Sequence, residues 1–235
     1  MVASRSARFD AMPLSYSLVI ALSAGLAIAG HYQSFDWLHW VFKPTTTLLI
    51  AAWVWRQPVL EPLYRRMILI GLLFSCGGDI FLMLPGDWFV AGLASFLLAH
   101  LCYLWALRSR SPWFAPAWPV LIYAVVAAPI VWQLWPHLPP ALRLPVMLYV
   151  LTLAAMAAQA ASVWWQRRQQ ASLLAALGAA VFVSSDAMLA WNRFVEPFDL
   201  ARLLILLSYW LAQWLIAQSV QLSSPADARP RPGQS

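Results

Sequence analysis

The sequence predicts an all-α membrane protein, a polytopic bundle of about eight transmembrane helices with both the N and C termini cytoplasmic. Three observations lead there. Apolar stretches of spanning length follow one another along nearly the whole chain, charge is scarce, and arginine-rich connections alternate with arginine-poor ones.

Of the 235 residues, 62% are hydrophobic and 10% are charged. The mean hydropathy is +0.68. A water-soluble domain carries roughly 25% charge and 45–50% apolar residues, so this chain is built for another solvent. A spanning helix needs about 20 apolar residues. Stretches near 14–31, 36–55, 66–84, 88–107, 117–135, 141–164, 171–191 and 200–221 have that character. Between them lie polar or helix-breaking residues: Gln33-Ser34, Gln57-Pro58, Pro85-Gly86, Arg108 to Pro112, Pro136 to Pro140, Gln166 to Gln170 and Glu196-Pro197. Residues 1–222 read as a single transmembrane domain. Residues 223–235, rich in Pro, Ser and Arg, read as a disordered cytoplasmic tail. The 15 tryptophans suit lipid–water interfaces.

Orientation follows from the arginines. Arg5, Arg8, Arg56, Arg65, Arg66, Arg108, Arg110, Arg167, Arg168, Arg229 and Arg231 fall on one side, and only Arg143, Arg193 and Arg202 on the other. The positive-inside rule puts the rich side in the cytoplasm. The expected location is a multi-pass position in the bacterial inner membrane. The first stretch, with Arg5 and Arg8 before it and Ala27-Ile28-Ala29 within it, also has the form of a signal peptide, which leaves a seven-span alternative. The net charge of +6 is explained by these loops, so no nucleic-acid partner is expected. Cys76 and Cys102 lie in apolar runs and offer neither a disulfide framework nor a spaced metal-ligand set. Lipid-facing and partner-facing stripes look alike in sequence, so no oligomeric state is assigned.

Ionisable residues inside spans are costly, and each marks a candidate site. Here they are Lys43, Asp79, His100 and Asp186, with Ser75, Tyr103, Ser184, Ser185, Asn192, Tyr209 and Gln213 as softer polar company. Counted from the outer ends of their stretches at about 1.5 Å per residue, both aspartates sit about 8 Å down and Lys43 about 10 Å down. A common polar cavity in the outer half of the bilayer lets these groups satisfy one another where lipid does not. Gly71 and Gly178 precede the two aspartates by eight residues, and Leu82 and Leu189 follow them by three, an offset of 107 throughout. That pattern fits a duplicated four-helix half related by an axis along the membrane normal. Plainer roles compete. Lys43 suits snorkelling or a salt bridge, His100 a helix-to-helix hydrogen bond, Tyr103, Tyr209 and Gln213 packing, and the glycines close helix contact.

Gly71-Leu72-Leu73-Phe74-Ser75 running into Gly78-Asp79, then Leu82-Met83-Leu84-Pro85, Phe89, Gly92-Leu93, Phe96 and Ala99-His100 with Tyr103, resembles the YhhN/TMEM86 family. So does the later block of Gly178, Phe182-Val183, Ser185-Asp186, Leu189 and Asn192-Arg193-Phe194. Lys43-Pro44 with Thr46-Thr47, and Tyr209 with Gln213, fit the rest of the pattern, over roughly residues 40–218. The family contains lysoplasmalogenases, which cleave the vinyl ether bond of lysoplasmalogen to a fatty aldehyde and glycerophosphoethanolamine or glycerophosphocholine. The resemblance thus implies a lysolipid substrate among membrane lipids.

A vinyl ether is hydrolysed by protonation of its β carbon, addition of water at the α carbon of the resulting oxocarbenium ion, and collapse of the hemiacetal. One carboxylic acid and one carboxylate suffice, as in glycosidases. No cofactor is needed, and a lone His100 makes a poor metal set. On this reading Asp79 and Asp186 are the acid and base in an unassigned order, and His100 and Tyr103 orient them or the water. Lys43 and Arg193 meet the phosphate, and Asn192, Tyr209 and Gln213 bond the glycerol or head group. A proton-coupled or small-molecule transporter using the same carboxylates is the rival class. An intramembrane aspartyl protease fits poorly, because Cys76 stands three residues before Asp79 where a glycine is expected. No Gly-x-Ser-x-Gly pattern surrounds Ser75, Ser184 or Ser185.

Overall fold

A computed structural model describes residues 12–33 and 35–221. Arg5, Arg8, Arg229, Arg231 and the expected disordered tail lie outside the described residues. Eight α-helices follow one another: α1 Leu14–Tyr32, α2 Asp36–Arg56, α3 Pro62–Phe81, α4 Phe89–Arg108, α5 Trp118–Leu134, α6 Pro140–Arg167, α7 Gln170–Phe194 and α8 Ala201–Gln221. No strand occurs among the described residues. Six of the helices are long and apolar enough to cross a membrane. The other two, α2 and α3, have 21 and 20 residues but carry Asp36, Lys43, Arg56, Arg65, Arg66 and Asp79, which lower their hydropathy.

Prolines start α3, α5 and α6, at Pro62, Pro119 and Pro140, where their missing N–H costs nothing. α3 runs from 62 to 81, against an apolar stretch near 66–84. Its end comes early because Leu84 precedes Pro85, which disfavours helical geometry, and Gly86 turns the chain at φ +97°. Asp79 is therefore two residues from its helix end, whereas Asp186 is eight from the end of α7. The equal offsets expected from the sequence are not found.

Six helices close a ring in the order α2, α3, α4, α6, α7, α8, with α8 back against α2. α1 packs outside against α2 and α8, and α5 outside against α6 and α7. The offset of the two aspartate blocks reappears in these neighbours. α2–α3 corresponds to α6–α7, α3–α4 to α7–α8, α1–α2 to α5–α6, and α2–α8 to α6–α4. The tightest approaches are at glycines. A Cβ on Gly71 would lie 2.2 Å from the Tyr103 ring of α4, and one on Gly178 would lie 2.8 Å from Ile216 and 3.0 Å from the Ala212 carbonyl of α8. Buried hydroxyls add cross-links: Tyr64 to Ser219 at 2.6 Å, Ser23 to Thr46 at 2.8 Å, and Ser185 donating to the Ile205 carbonyl at 3.0 Å.

The arginine-rich end is held by Glu61, just ahead of α3. Its carboxylate accepts from Arg110 Nε at 2.7 Å and from Arg167 at 3.1 Å. Arg110 also lies over the Tyr64 ring and donates to the Ser219 carbonyl at 3.1 Å. Four helix ends therefore meet at one carboxylate. Burial pushes the Glu61 carboxyl up, but Arg110 and Arg167 outweigh it and hold the group below its ordinary range.

Two predictions follow from these contacts. Gly178→Ala should destabilise the protein by about 1–3 kcal/mol through overpacking against a backbone carbonyl, whereas Gly25→Ala, with nothing within 4 Å of the added methyl, should not; unfolding in detergent micelles measures both. Glu61 stabilises the fold at pH values above its unfolded-chain pKa, and that contribution is lost as pH falls through the depressed folded value. The margin of wild type over Glu61→Gln in thermal unfolding should be full at neutral pH and shrink below about pH 4.

Candidate active site

Asp79 and Asp186 line the same cavity, of about 390 Å³, between α2, α3, α4, α7 and α8. They reach it from equivalent helices of the two halves and in unlike surroundings. Asp79 is 1% exposed. Its Oδ2 accepts from Thr47 at 2.7 Å and from Tyr209 at 2.8 Å, and its Oδ1 lies 3.6 Å from Lys43 Nζ. Lys43 also donates to the Asp79 main-chain carbonyl at 3.3 Å. Pro44 interrupts the hydrogen bonding of α2 directly after that lysine. One carboxylate thus collects a cation and two hydroxyl donors from α2 and α8.

Asp186 is in none of the ion pairs found among the described residues. Its Oδ2 accepts from Tyr149 of α6 at 2.5 Å, and the residue is part-exposed to the cavity. It also lines a second, apolar chamber of about 80 Å³ between α4, α5, α6 and α7. Leu82, Phe89, Phe96 and Leu189 line both chambers with it. The two spaces therefore adjoin at Asp186, one almost wholly apolar, the other lined by Lys43, Asp79, Asn192, Arg193, Arg202 and Tyr209.

The remaining sequence candidates divide. Lys43, Asn192, Arg193 and Tyr209 line the polar chamber. Lys43 is committed to Asp79 rather than free for a ligand. Arg193, at the exposed rim, pairs with Asp87 at 3.0 Å and lies 4.0 Å over the Phe89 ring. Asn192 accepts from the Phe198 amide at 3.3 Å and so ties the α7–α8 connection. His100, Tyr103 and Gln213 lie outside the chamber lining. The Tyr103 hydroxyl donates to Gln213 at 2.7 Å and meets Ser75 at 3.4 Å. His100 is fully buried, edge-on to Phe182 and Tyr149 at 4.7 and 5.2 Å between ring centres. It reaches the site through the rings it packs on.

Four residues of the site were not among those candidates. Thr47 and Tyr149 supply hydrogen bonds to the aspartates, and His39 and Arg202 line the polar chamber. Arg202, exposed at the start of α8, makes none of the ion pairs found among the described residues. Among those residues no group of three or more His, Cys, Asp or Glu side chains gathers as a metal set would.

Fold and chamber together define a polytopic helical membrane protein whose two halves each carry one carboxyl to a common cavity. The YhhN family model matches residues 38–220, and the chain belongs to that family. It is 36% identical to the human protein named lysoplasmalogenase TMEM86B over 197 residues, covering 81% of this chain and 78% of that one. It is 33% identical to a Mycobacterium tuberculosis protein named lysoplasmalogenase over 210 residues, 86% of this chain and 76% of that one. An Escherichia coli membrane protein named YhhN is 26% identical over 206 residues, 87% of this chain and 98% of that one. No solved structure matches the chain.

If the chamber surrounds a functional ion pair, Thr47→Val should cost activity without unfolding the protein. It removes one of the two hydroxyl donors to Asp79 and leaves Lys43 and Tyr209 in place. A fall of about tenfold in turnover, with an unchanged melting profile, is the expected result.

Proposed function

We propose that the protein is a membrane-embedded hydrolase that cleaves the vinyl ether bond of lysoplasmalogen-type lysolipids. The products are a fatty aldehyde and glycerophosphoethanolamine or glycerophosphocholine. The observation that carries this reading is the placement of Asp186 where an apolar and a polar chamber meet, with Asp79 in the polar one. A lysolipid has the same two-part character, and its vinyl ether is the joint between the parts. The names of the human and mycobacterial relatives support the substrate class.

The surroundings support a division of the two roles. Lys43, Thr47 and Tyr209 all favour a carboxylate at Asp79. Asp186, with one tyrosine donor and apolar neighbours, is the acid. With the alkenyl chain in the apolar chamber, the β carbon lies on the side of Asp186, and the ether oxygen faces Asp79. Asp186 gives its proton to the β carbon, and the oxocarbenium ion forms beside the Asp79 carboxylate. Water adds to the α carbon and passes a proton to Asp79. The hemiacetal then collapses: its hydroxyl proton returns to Asp186, the carbon–oxygen bond to glycerol breaks, and the glycerol oxygen takes the proton held by Asp79. Both carboxyls end as they began.

Arg202 at the rim holds the phosphate, with Lys43 paired with Asp79 and Arg193 with Asp87. Asn192 and Tyr209 face the glycerol, while His100, Tyr103 and Gln213 support the wall behind. All eight helices form one transmembrane domain, α2 and α3 included, because their charged residues are used inside the bundle or at its ends. The polar chamber opens at the end carrying Arg193 and Arg202, the arginine-poor side. The positive-inside rule makes that the outer face, with both termini in the cytoplasm. The arrangement suits the inner membrane of a bacterium.

Purified protein given a lysoplasmalogen should release aldehyde. Asp186→Asn and Asp79→Asn should each lower kcat by about 10²–10⁴ while remaining folded. Arg202→Ala should raise KM about tenfold with little change in kcat, and Arg202→Lys should recover part of the loss. Near-normal turnover in either aspartate variant would remove that residue from the mechanism. Uptake of a solute driven by a proton gradient, with no aldehyde, would favour a transporter.

A further inference from the structure

The apolar chamber is too small for its proposed ligand. At about 80 Å³ it cannot enclose a long aliphatic chain. Four of its lining residues, Tyr123, Ala127, Val150 and Ala154, also line a much larger groove of about 880 Å³ between α5 and α6. The groove therefore adjoins the chamber on its α5–α6 side.

Its build explains why the seam is open here. α5 buries only Pro119 and Leu134 and lies outside the six-helix ring. Where it faces α6, alanines meet alanines: Ala124, Ala127 and Ala128 on one side, Ala154, Ala155 and Ala158 on the other. Small side chains on both helices leave a trough between them. The flanks belong to the lipid-facing surface, with Leu121, Val125 and Leu151 each more than 60% exposed. Among the described residues no charged side chain lines the groove, which suits an aliphatic chain better than a phosphate head group. Lys43, Arg193 and Arg202 line the polar chamber beyond Asp186, while Arg143 is engaged over the ring of Trp135 at one end of the groove.

Resting on the proposed lysolipid reaction, we infer that the single aliphatic chain of the substrate enters sideways from the bilayer and lies in the α5–α6 groove during the reaction. Its vinyl end passes Ala127 and Ala154 to reach Asp186, and its head group occupies the polar chamber. The aldehyde leaves by the same groove, straight into lipid. The access route is thus part of the binding site, and its length makes chain length a determinant of turnover.

The test is photo-labelling of the full chain in lipid nanodiscs. The probe is a long-chain vinyl ether lysolipid with a diazirine at the chain end, and the readout is peptide mass spectrometry. Label should concentrate on residues 120–136 and 147–158 and be competed by unlabelled lysolipid. Ala155→Phe, in the groove but not in the chamber, should reduce it about tenfold, whereas Leu121→Phe, on the lipid face of α5, should not. In turnover, Ala155→Phe should lower kcat/KM about tenfold for a long alkenyl chain and spare a short alkenyl analogue that needs no groove. Label spread evenly around the lipid-facing perimeter, or gathered at another seam, would overturn the inference. So would equal loss for long and short chains. Competed labelling of the groove without aldehyde release would keep the route and remove the hydrolase. Aldehyde release with diffuse labelling would do the reverse.

Discussion

The protein depends on how one buried negative charge is answered. A carboxylate inside a bilayer is expensive unless partners surround it, and Asp79 meets that condition with three groups from two other helices. Lys43 and Thr47 come from α2 and Tyr209 from α8. The pairing joins α2, α3 and α8 on one side of the ring and walls the polar chamber. It also decides what is left for a ligand. With Lys43 held by Asp79 and Arg193 by Asp87, the chamber's remaining cation is Arg202.

Asp186 is the counterpart built the other way. It sits at the same position in its half of the molecule, takes a hydrogen bond from the preceding helix as Asp79 does, and lacks the lysine. The Val150 that stands 107 residues after Lys43 lines the apolar chamber instead. One repeated scaffold therefore presents two carboxyls with opposite electrostatic surroundings. An acid and a base need that difference, and a pair of identical sites would not provide it.

Much of this was legible in the sequence, because the bilayer writes strong rules. Span length, proline and polar breaks put the eight helices within a few residues of their observed ends. The cost of charge in lipid singled out Lys43, Asp79 and Asp186 without any structure. The end of α3 was misjudged because Leu82 to Leu84 are as apolar as a helix needs, while Pro85 and Gly86 turn the chain from behind. Tyr149 carried no signal, since a tyrosine in an apolar run looks like any buried ring until its hydroxyl has an address. Arg202 read as a loop charge because it begins α8, and only the fold brings that helix start beside α2 and α7. Tyr103, Gln213 and His100 stood out by their polarity inside apolar runs and by the family pattern. Tyr103 and Gln213 hydrogen-bond each other one layer behind the chamber, and His100 packs there among aromatic rings.

The central claim is that the two carboxyls hold different protonation states at neutral pH, Asp186 as the acid and Asp79 as the carboxylate. Infrared spectroscopy of the protein in lipid reads this directly from the carbonyl stretch of a protonated carboxyl. That band should be present in the wild type, persist in Asp79→Asn and disappear in Asp186→Asn. A band lost with Asp79 and kept without Asp186, or no protonated carboxyl at all, would contradict the account.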